Sequence, residues 1–231
     1  MNIVITGATK GIGLAIVELF ASKGANIAFC SRTEKDLNDL TQRLSKQYPN
    51  AEFICMATDM SKEEEVKKFT NYVKSKWNSV DVLVNNAGVF LQASCHAEES
   101  EEAFKMMMDT NLYSAYFSTQ GILPIMPENK NSYIFNICSI ASFMPYGAYA
   151  VSKHAMLGYS RALRAELINK GIRVSAVMPG ATQTDSWAGV NLPEERFMKA
   201  GDVAEAIWSC YQLSNRTVVE EIILRPLPGD I

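Results

Sequence analysis

Tyr149 and Lys153 stand four residues apart in a stretch, 148–170, with helical apolar periodicity, so their side chains share one helix face about a turn apart. An ammonium beside a phenol favours the phenolate, and such a pair is suited to moving a proton to or from a carbonyl or hydroxyl oxygen. Ser139 ends the strand before this helix and can donate a hydrogen bond to an oxygen on which negative charge develops; its plainer role is a cap or a satisfied core hydroxyl. Tyr72 and Lys76 repeat the spacing inside 62–76, a segment rich in Lys and Glu that reads as a solvated helix face. Only the copy behind Ser139 is placed to meet a ligand.

The elements that must position these residues alternate along the chain. Short β-branched or aromatic runs at 3–5, 26–30, 52–57, 82–84, 133–138, 173–177 and 221–224 read as strands, and amphipathic stretches at 12–23, 34–47, 62–76, 99–126, 148–170 and 202–213 read as helices. Several strands are nearly continuous apolar runs, as parallel strands covered on both faces are. The pattern predicts a single-domain α/β protein over 1–231: a doubly wound, Rossmann-type parallel sheet of about seven strands with helices on both faces. The longest irregular stretch, 179–193, has the length of a lid or binding loop.

In an open parallel sheet, ligands lie across the carboxyl ends of the strands. Small and polar residues collect there: Gly7, Thr9, Lys10, Gly11, Ile12 and Gly13 after the first strand, Ser31 and Arg32 after the second, Asp59 and Met60 after the third, Asn86 and Ala87 after the fourth, Ser139 after the fifth, and Pro179 and Gly180 after the sixth. The first of these segments joins a strand directly to a helix. Its glycines permit close backbone approach, and the helix N-terminus offers free N–H groups to a pyrophosphate, so the turn is either a dinucleotide cradle or a tight packing turn.

Composition sets outer bounds. With 48% hydrophobic residues, net charge −3 and a pI near 5.5, the chain is globular and offers no general positive field to a nucleic acid. Five scattered cysteines form no Cys-x-x-Cys pair, and Cys95 and His96 lack the further partners of a metal site, so no disulfide framework and no metal are expected. No apolar run approaches the roughly 20 residues of a membrane span. The N-terminus shows no basic segment ahead of an apolar core, and the expected compartment is the cytoplasm.

Taken in order, these motifs resemble the short-chain dehydrogenase/reductase family from Asn2 to about Leu224. The family's Thr-Gly-x-x-x-Gly-x-Gly matches 6–13, its Asn-Asn-Ala-Gly matches 85–88, and its Tyr-x-x-x-Lys matches 149–153. Its helix asparagine matches Asn111, its serine Ser139, and its Pro-Gly matches 179–180 with Thr184 following. The resemblance implies that Tyr149 is the proton donor in reduction and the base in oxidation. It implies that Lys153 assists Tyr149 and holds the nicotinamide ribose, that Ser139 positions the carbonyl, and that Asn111 orders a water. It places Asp59 at the adenine, and Asn86, Ala87, Thr182 and Thr184 along the ribose and nicotinamide. Two departures stand out: Ser139 and Tyr149 are ten positions apart, about three fewer than is common, and the C-terminus lacks the Asp-Gly-Gly ending of many members.

The implied activity is an NADP(H)-dependent oxidoreductase acting on a carbonyl/alcohol pair, similar to 3-oxoacyl carrier protein reductases or carbonyl reductases; the alternative is a dinucleotide-binding sensor without turnover. Where NAD-selective members carry an acid at the end of the second strand, this chain has Ser31, followed by Arg32 and supported by Lys10, which favours a 2′-phosphate. Phe90, Leu91, Phe143, Met144, Tyr146 and Trp187 suggest an apolar pocket, although each suits a core or interface equally well. The substrate and reaction direction stay open. A homodimer or homotetramer through the Asn111 and Tyr149 helices is implied by resemblance alone.

Overall fold

The computed structural model describes residues 1–184 and 192–230. Seven strands form one parallel sheet: β1 (Asn2–Thr6), β2 (Asn26–Ser31), β3 (Phe53–Ala57), β4 (Val82–Asn85), β5 (Tyr133–Ile137), β6 (Arg173–Pro179) and β7 (Glu221–Leu224). Their order is β3-β2-β1-β4-β5-β6-β7, so the chain reverses its direction across the sheet between β1 and β4. That junction is the topological switch point where a crevice opens at the strand ends.

Alternation of side chains sends β1 into two cores. Ile3 and Ile5 pack with Phe20, Leu37 and Leu44, beneath α1 (Gly11–Ser22), α2 (Glu34–Gln47) and α7 (Ala200–Gln212). Val4 packs with Leu83, Phe69 and Leu163, beneath α3 (Glu63–Lys76), α5 (Ser114–Ile122) and α6 (Gly147–Leu167). Burial on both faces explains the unbroken apolar runs of the inner strands. β7, at the edge, is half exposed instead, and charge guards it: Arg161 and Arg164 pair with Glu221 and Glu220 at 2.7 and 3.2 Å. At the sheet end opposite the switch-point crevice, the Arg173 guanidinium lies 4.2 Å from the Tyr133 ring centroid and donates to the carbonyls of Tyr211 and Leu213, which fastens the end of α7.

The segment 99–126, expected as one helix, is divided. After a 3-10 turn at Glu98–Ser100 come α4 (Glu101–Met108), a π-helical turn at Asp109–Tyr113, α5, and a closing 3-10 turn at Leu123–Ile125. Within the widened turn Thr110 and Asn111 are buried, and the Ser114 hydroxyl donates to the Thr110 carbonyl at 2.6 Å. Such bulges re-aim side chains at functional sites. Apolar periodicity carries no mark of a single inserted residue, which is why the sequence reads as continuous.

Of the long irregular stretch 179–193, expected as a lid, Pro179 belongs to β6, Thr182 bridges to Met198, and 185–191 lie outside the described residues. Among the described residues no helix is long and apolar enough to cross a membrane.

Gly13 shows how tightly the first crossover is closed. A Cβ there would stand 2.2 Å from the Gly7 carbonyl oxygen and 2.5 Å from Asn86 Nδ2, with backbone on one side and a hydrogen-bonded amide on the other. Gly13→Ala is expected to cost about 3 kcal/mol by overpacking, lowering Tm by about 6–12 °C for a chain of this size. Thermal denaturation checks this, and a Tm within 2 °C of the parent would contradict the close approach.

Candidate active site

The turns after β1 and β4 are laced together. Thr6 Oγ1 accepts from the backbone N–H groups of Asn86 and Ala87, each at 3.0 Å, and Asn86 Nδ2 donates to the carbonyls of Thr6 and Gly7, each at 2.9 Å. Gly7 has φ +67, and a Cβ on it would stand 2.9 Å from Ala87 Cα, so only glycine allows the two turns to meet. Gly11, also left-handed at φ +52, faces Thr184, whose Cγ2 would be 2.8 Å from an added Cβ. Between them Lys10 is the extended N-cap residue of α1, and its own side chain makes no capping hydrogen bond to the helix. The first N–H groups of α1, those of Ile12 and Gly13 among them, have no intrahelical acceptor, as at any helix start, and such groups suit an anion.

Lys153 and Tyr149 project from the first turns of α6. The Lys153 side chain is only 4% exposed; its ammonium donates to the carbonyl of Ile137, the last residue of β5, at 3.0 Å and lies 5.8 Å from the Tyr149 ring centroid. Lys76 lies 5.7 Å from the Tyr72 ring with nearly the same local geometry, yet its side chain is exposed. Burial against the end of β5, and not the four-residue spacing, distinguishes the two pairs. Ser139 caps the 3-10 turn Ile140–Phe143 by accepting from the Ala141 N–H at 3.1 Å, which leaves its hydroxyl proton to donate.

Asn111 arrives from the π-helical turn. Its Oδ1 accepts from the Val89 N–H at 2.7 Å, and its Nδ2 donates to the Val89 carbonyl and to Ser152 Oγ, both at 2.9 Å. A Cβ on Gly88 would stand 3.1 Å from Asn111 Oδ1 and 3.5 Å from Lys153 Nζ, so the turn after β4, the π-helical turn and α6 converge on one point. The short connection from Ser139 to Tyr149 closes through Gly147, at φ +61, and through Ala148, whose N–H donates to the Ala93 carbonyl at 3.3 Å.

Residues 1–195 match the family described as short chain dehydrogenase. The chain belongs to the short-chain dehydrogenase family. A sepiapterin reductase of Chlorobaculum tepidum is 33% identical over 99% of this chain and 97% of its own length. Among solved structures, an alcohol dehydrogenase from Thermococcus sibiricus complexed with 5-hydroxy-NADP superposes with a TM-score of 0.88 at 28% identity, covering 98% of this chain and 96% of that one. L-sorbose reductase from Gluconobacter frateurii, complexed with NADPH and L-sorbose, gives 0.88 at 26% identity over 97% and 95%.

Around the centre of this short-chain dehydrogenase the structure refines several expectations. Met60 turns its side chain into the core, where its sulfur lies 3.5 Å from Cys30 Sγ, so any cofactor contact it makes falls to its backbone. Asp59 is engaged by the N–H and hydroxyl of Ser61 at 3.0 and 2.7 Å. Partial burial raises its carboxyl, but the Ser61 hydrogen bonds and the nearby Lys62 outweigh that and hold it below the usual carboxylate range. The Thr182 hydroxyl is engaged by the Gly180 carbonyl at 3.0 Å. Ser31 Oγ, in contrast, is buried with no hydrogen-bond partner among the described residues, and Arg32 beside it is exposed.

Phe90, Leu91, Phe143 and Tyr146 are exposed and Met144 is half-buried, which takes them out of the core, while Trp187 lies outside the described residues. Burial pushes the thiols of Cys30 and Cys138 up to about 12, leaving neither as a nucleophile at the strand ends. Sequence reasoning missed Ser152, fully buried, whose hydroxyl donates to the Tyr149 carbonyl at 2.7 Å while receiving Asn111. It also missed Ser142, which donates to the Lys153 carbonyl at 2.9 Å. The position of Ser152, three residues beyond Tyr149 on the same helix, was the available signal.

Proposed function

We propose that this short-chain dehydrogenase catalyses hydride transfer between NADP(H) and a carbonyl or secondary-alcohol substrate. The observation that carries the reading is a buried lysine, Lys153, beside Tyr149 at the same edge of the sheet as a glycine-rich helix N-terminus. When bound, the cofactor supplies or accepts the hydride at its nicotinamide ring. Tyr149 Oη donates the proton to the carbonyl oxygen in reduction and removes it from the hydroxyl in oxidation. Ser139 Oγ donates a hydrogen bond to the same oxygen and orients it. Lys153 would hold the ribose hydroxyls and keep a positive charge next to the phenol, and Asn111, whose side chain is engaged by Val89 and Ser152, would order a water for the proton relay.

Gly7, Thr9, Lys10, Gly11, Ile12 and Gly13 would surround the pyrophosphate, and Asp59, the Met60 backbone, Asn86, Ala87, Thr182 and Thr184 the remaining length of the dinucleotide. The buried, unpartnered Ser31 hydroxyl and the exposed Arg32 fit a 2′-phosphate at the end of β2. Assembly as a homodimer or homotetramer in the cytoplasm belongs to the same reading. Exposed Tyr113, Tyr116 and Val151 on the π-helical turn, α5 and α6 are consistent with such a contact.

A panel of ketones and aldehydes, followed by loss of reduced-nicotinamide absorbance, tests the activity; NADPH binding without oxidation by any of them would contradict it. Ser31→Asp combined with Arg32→Ala tests the cofactor. The ratio of NADPH to NADH kcat/KM is expected to fall by about thirtyfold or more, the size of a lost charge-assisted hydrogen bond, chiefly through KM. An unchanged ratio would remove these residues from phosphate recognition.

A further inference from the structure

The contact made on Tyr149 leads to the substrate, and this step rests on the hydride-transfer reading above. Phe90 meets the Tyr149 ring edge-on, with centroids 5.2 Å apart and planes at 81°, yet Phe90 is 54% exposed. One part of its ring is engaged by Tyr149 and the rest is open to solvent. Its placement is not that of a free loop. The preceding residue, Val89, is held through both its N–H and its carbonyl by Asn111, and Asn111 is held in turn by Ser152 of α6. This polar clamp sets Phe90 relative to the helix that carries Tyr149. On the other approach to the same helix, Phe143 and Tyr146 are 41% and 45% exposed, and the Ala148–Ala93 hydrogen bond joins the two loops. Large apolar side chains left open together mark a binding surface, and their position beside Tyr149 points to a ligand.

Charge narrows the ligand further. Residues 86–97 after β4, 138–152 after β5 and 179–184 after β6 contain no Asp, Glu, Lys or Arg. A carboxylate or phosphate carried into these loops would lose its water without meeting a cation from any of them, and Lys153, the next residue on α6, is buried and engaged by the Ile137 carbonyl. A neutral ring would instead find aromatic faces and edges.

We propose that Phe90 is the specificity-determining residue of this site and that it selects uncharged carbonyl compounds bearing a planar aromatic or conjugated ring over anionic carbonyls of the same size. In the test, 2-acetylnaphthalene, its ring-carboxylated analogue 6-acetyl-2-naphthoate, and 2-hexanone are compared with NADPH. The neutral naphthyl ketone is expected to exceed the carboxylate in kcat/KM by about a hundredfold. Phe90→Ala is expected to lower the naphthyl-to-hexanone selectivity ratio about tenfold, mainly through KM, and Phe90→Tyr to restore it. Equal use of ketone and carboxylate would overturn the proposal. So would a Phe90→Ala variant that changes both neutral ketones in the same proportion, because Phe90 would then only support Tyr149.

Binding to the NADP-loaded protein separates this proposal from the reaction itself. If 1-(2-naphthyl)ethanol binds about a hundredfold more tightly than its ring-carboxylated form while no carbonyl is reduced, the selectivity stands and the hydride-transfer reading falls. Equal affinities overturn the selectivity whether or not turnover is seen.

Discussion

Tyr149→Phe is expected to lower kcat by about a thousandfold or more while leaving NADPH affinity within a few-fold of the parent. Removing one oxygen deletes the group that exchanges the proton with the substrate, and general acid–base catalysis by a positioned side chain contributes about 10²–10⁴ in rate. The ring stays, and with it the edge-on contact to Phe90, so the wall of the site is preserved. Steady-state rates with a ketone that the wild type reduces, together with fluorescence titration of NADPH, provide both readouts. A variant with activity within a few-fold of wild type would sink the mechanism. A parallel loss of cofactor binding would show that the phenol acts through the site's structure.

Lys153→Ala differs because the ammonium has two tasks in this reading. Turnover is expected to fall by about 10²–10⁴, and the cofactor Kd to rise by about tenfold or more as charge-assisted hydrogen bonds to the ribose are lost. The Ile137 carbonyl also loses its Lys153 donor, at a cost of about 1–2 kcal/mol in stability. Thermal denaturation therefore accompanies the kinetic and binding measurements, and rates are compared below the variant's own transition. If turnover fell with cofactor affinity intact, the ribose role would be wrong and the lysine would serve Tyr149 alone.

The strands and most helices were legible because their physical signals are local and strong. Doubly covered parallel strands read as apolar runs, and α2, expected over 34–47, spans Glu34–Gln47. The strand-end motifs were legible for a similar reason, since a parallel sheet delivers whatever follows each strand to one edge. Tertiary arrangement was less so. Nothing in 99–126 announces the π-helical turn that buries Asn111, because a one-residue insertion leaves apolar periodicity nearly unchanged. Spacing alone could not rank Tyr149–Lys153 above Tyr72–Lys76, whose local geometries nearly coincide; burial of Lys153 against Ile137 ranks them, and burial is a property of the fold. Met60 shows the limit from the other side: following a strand brings a residue to the right edge, but the core takes up this side chain, where its sulfur meets Cys30.

The central claim is that hydride passes between a nicotinamide cofactor and a carbonyl carbon while Tyr149 handles the proton. NADPH deuterated at both C4 positions, incubated with wild-type protein and 2-acetylnaphthalene, tests it without depending on which face is used. The account predicts an alcohol carrying one deuterium on the carbinol carbon, formed about a thousandfold more slowly by Tyr149→Phe. NADPH bound by the wild type, with no deuterium delivered to this ketone or to any other member of the carbonyl panel, would contradict it.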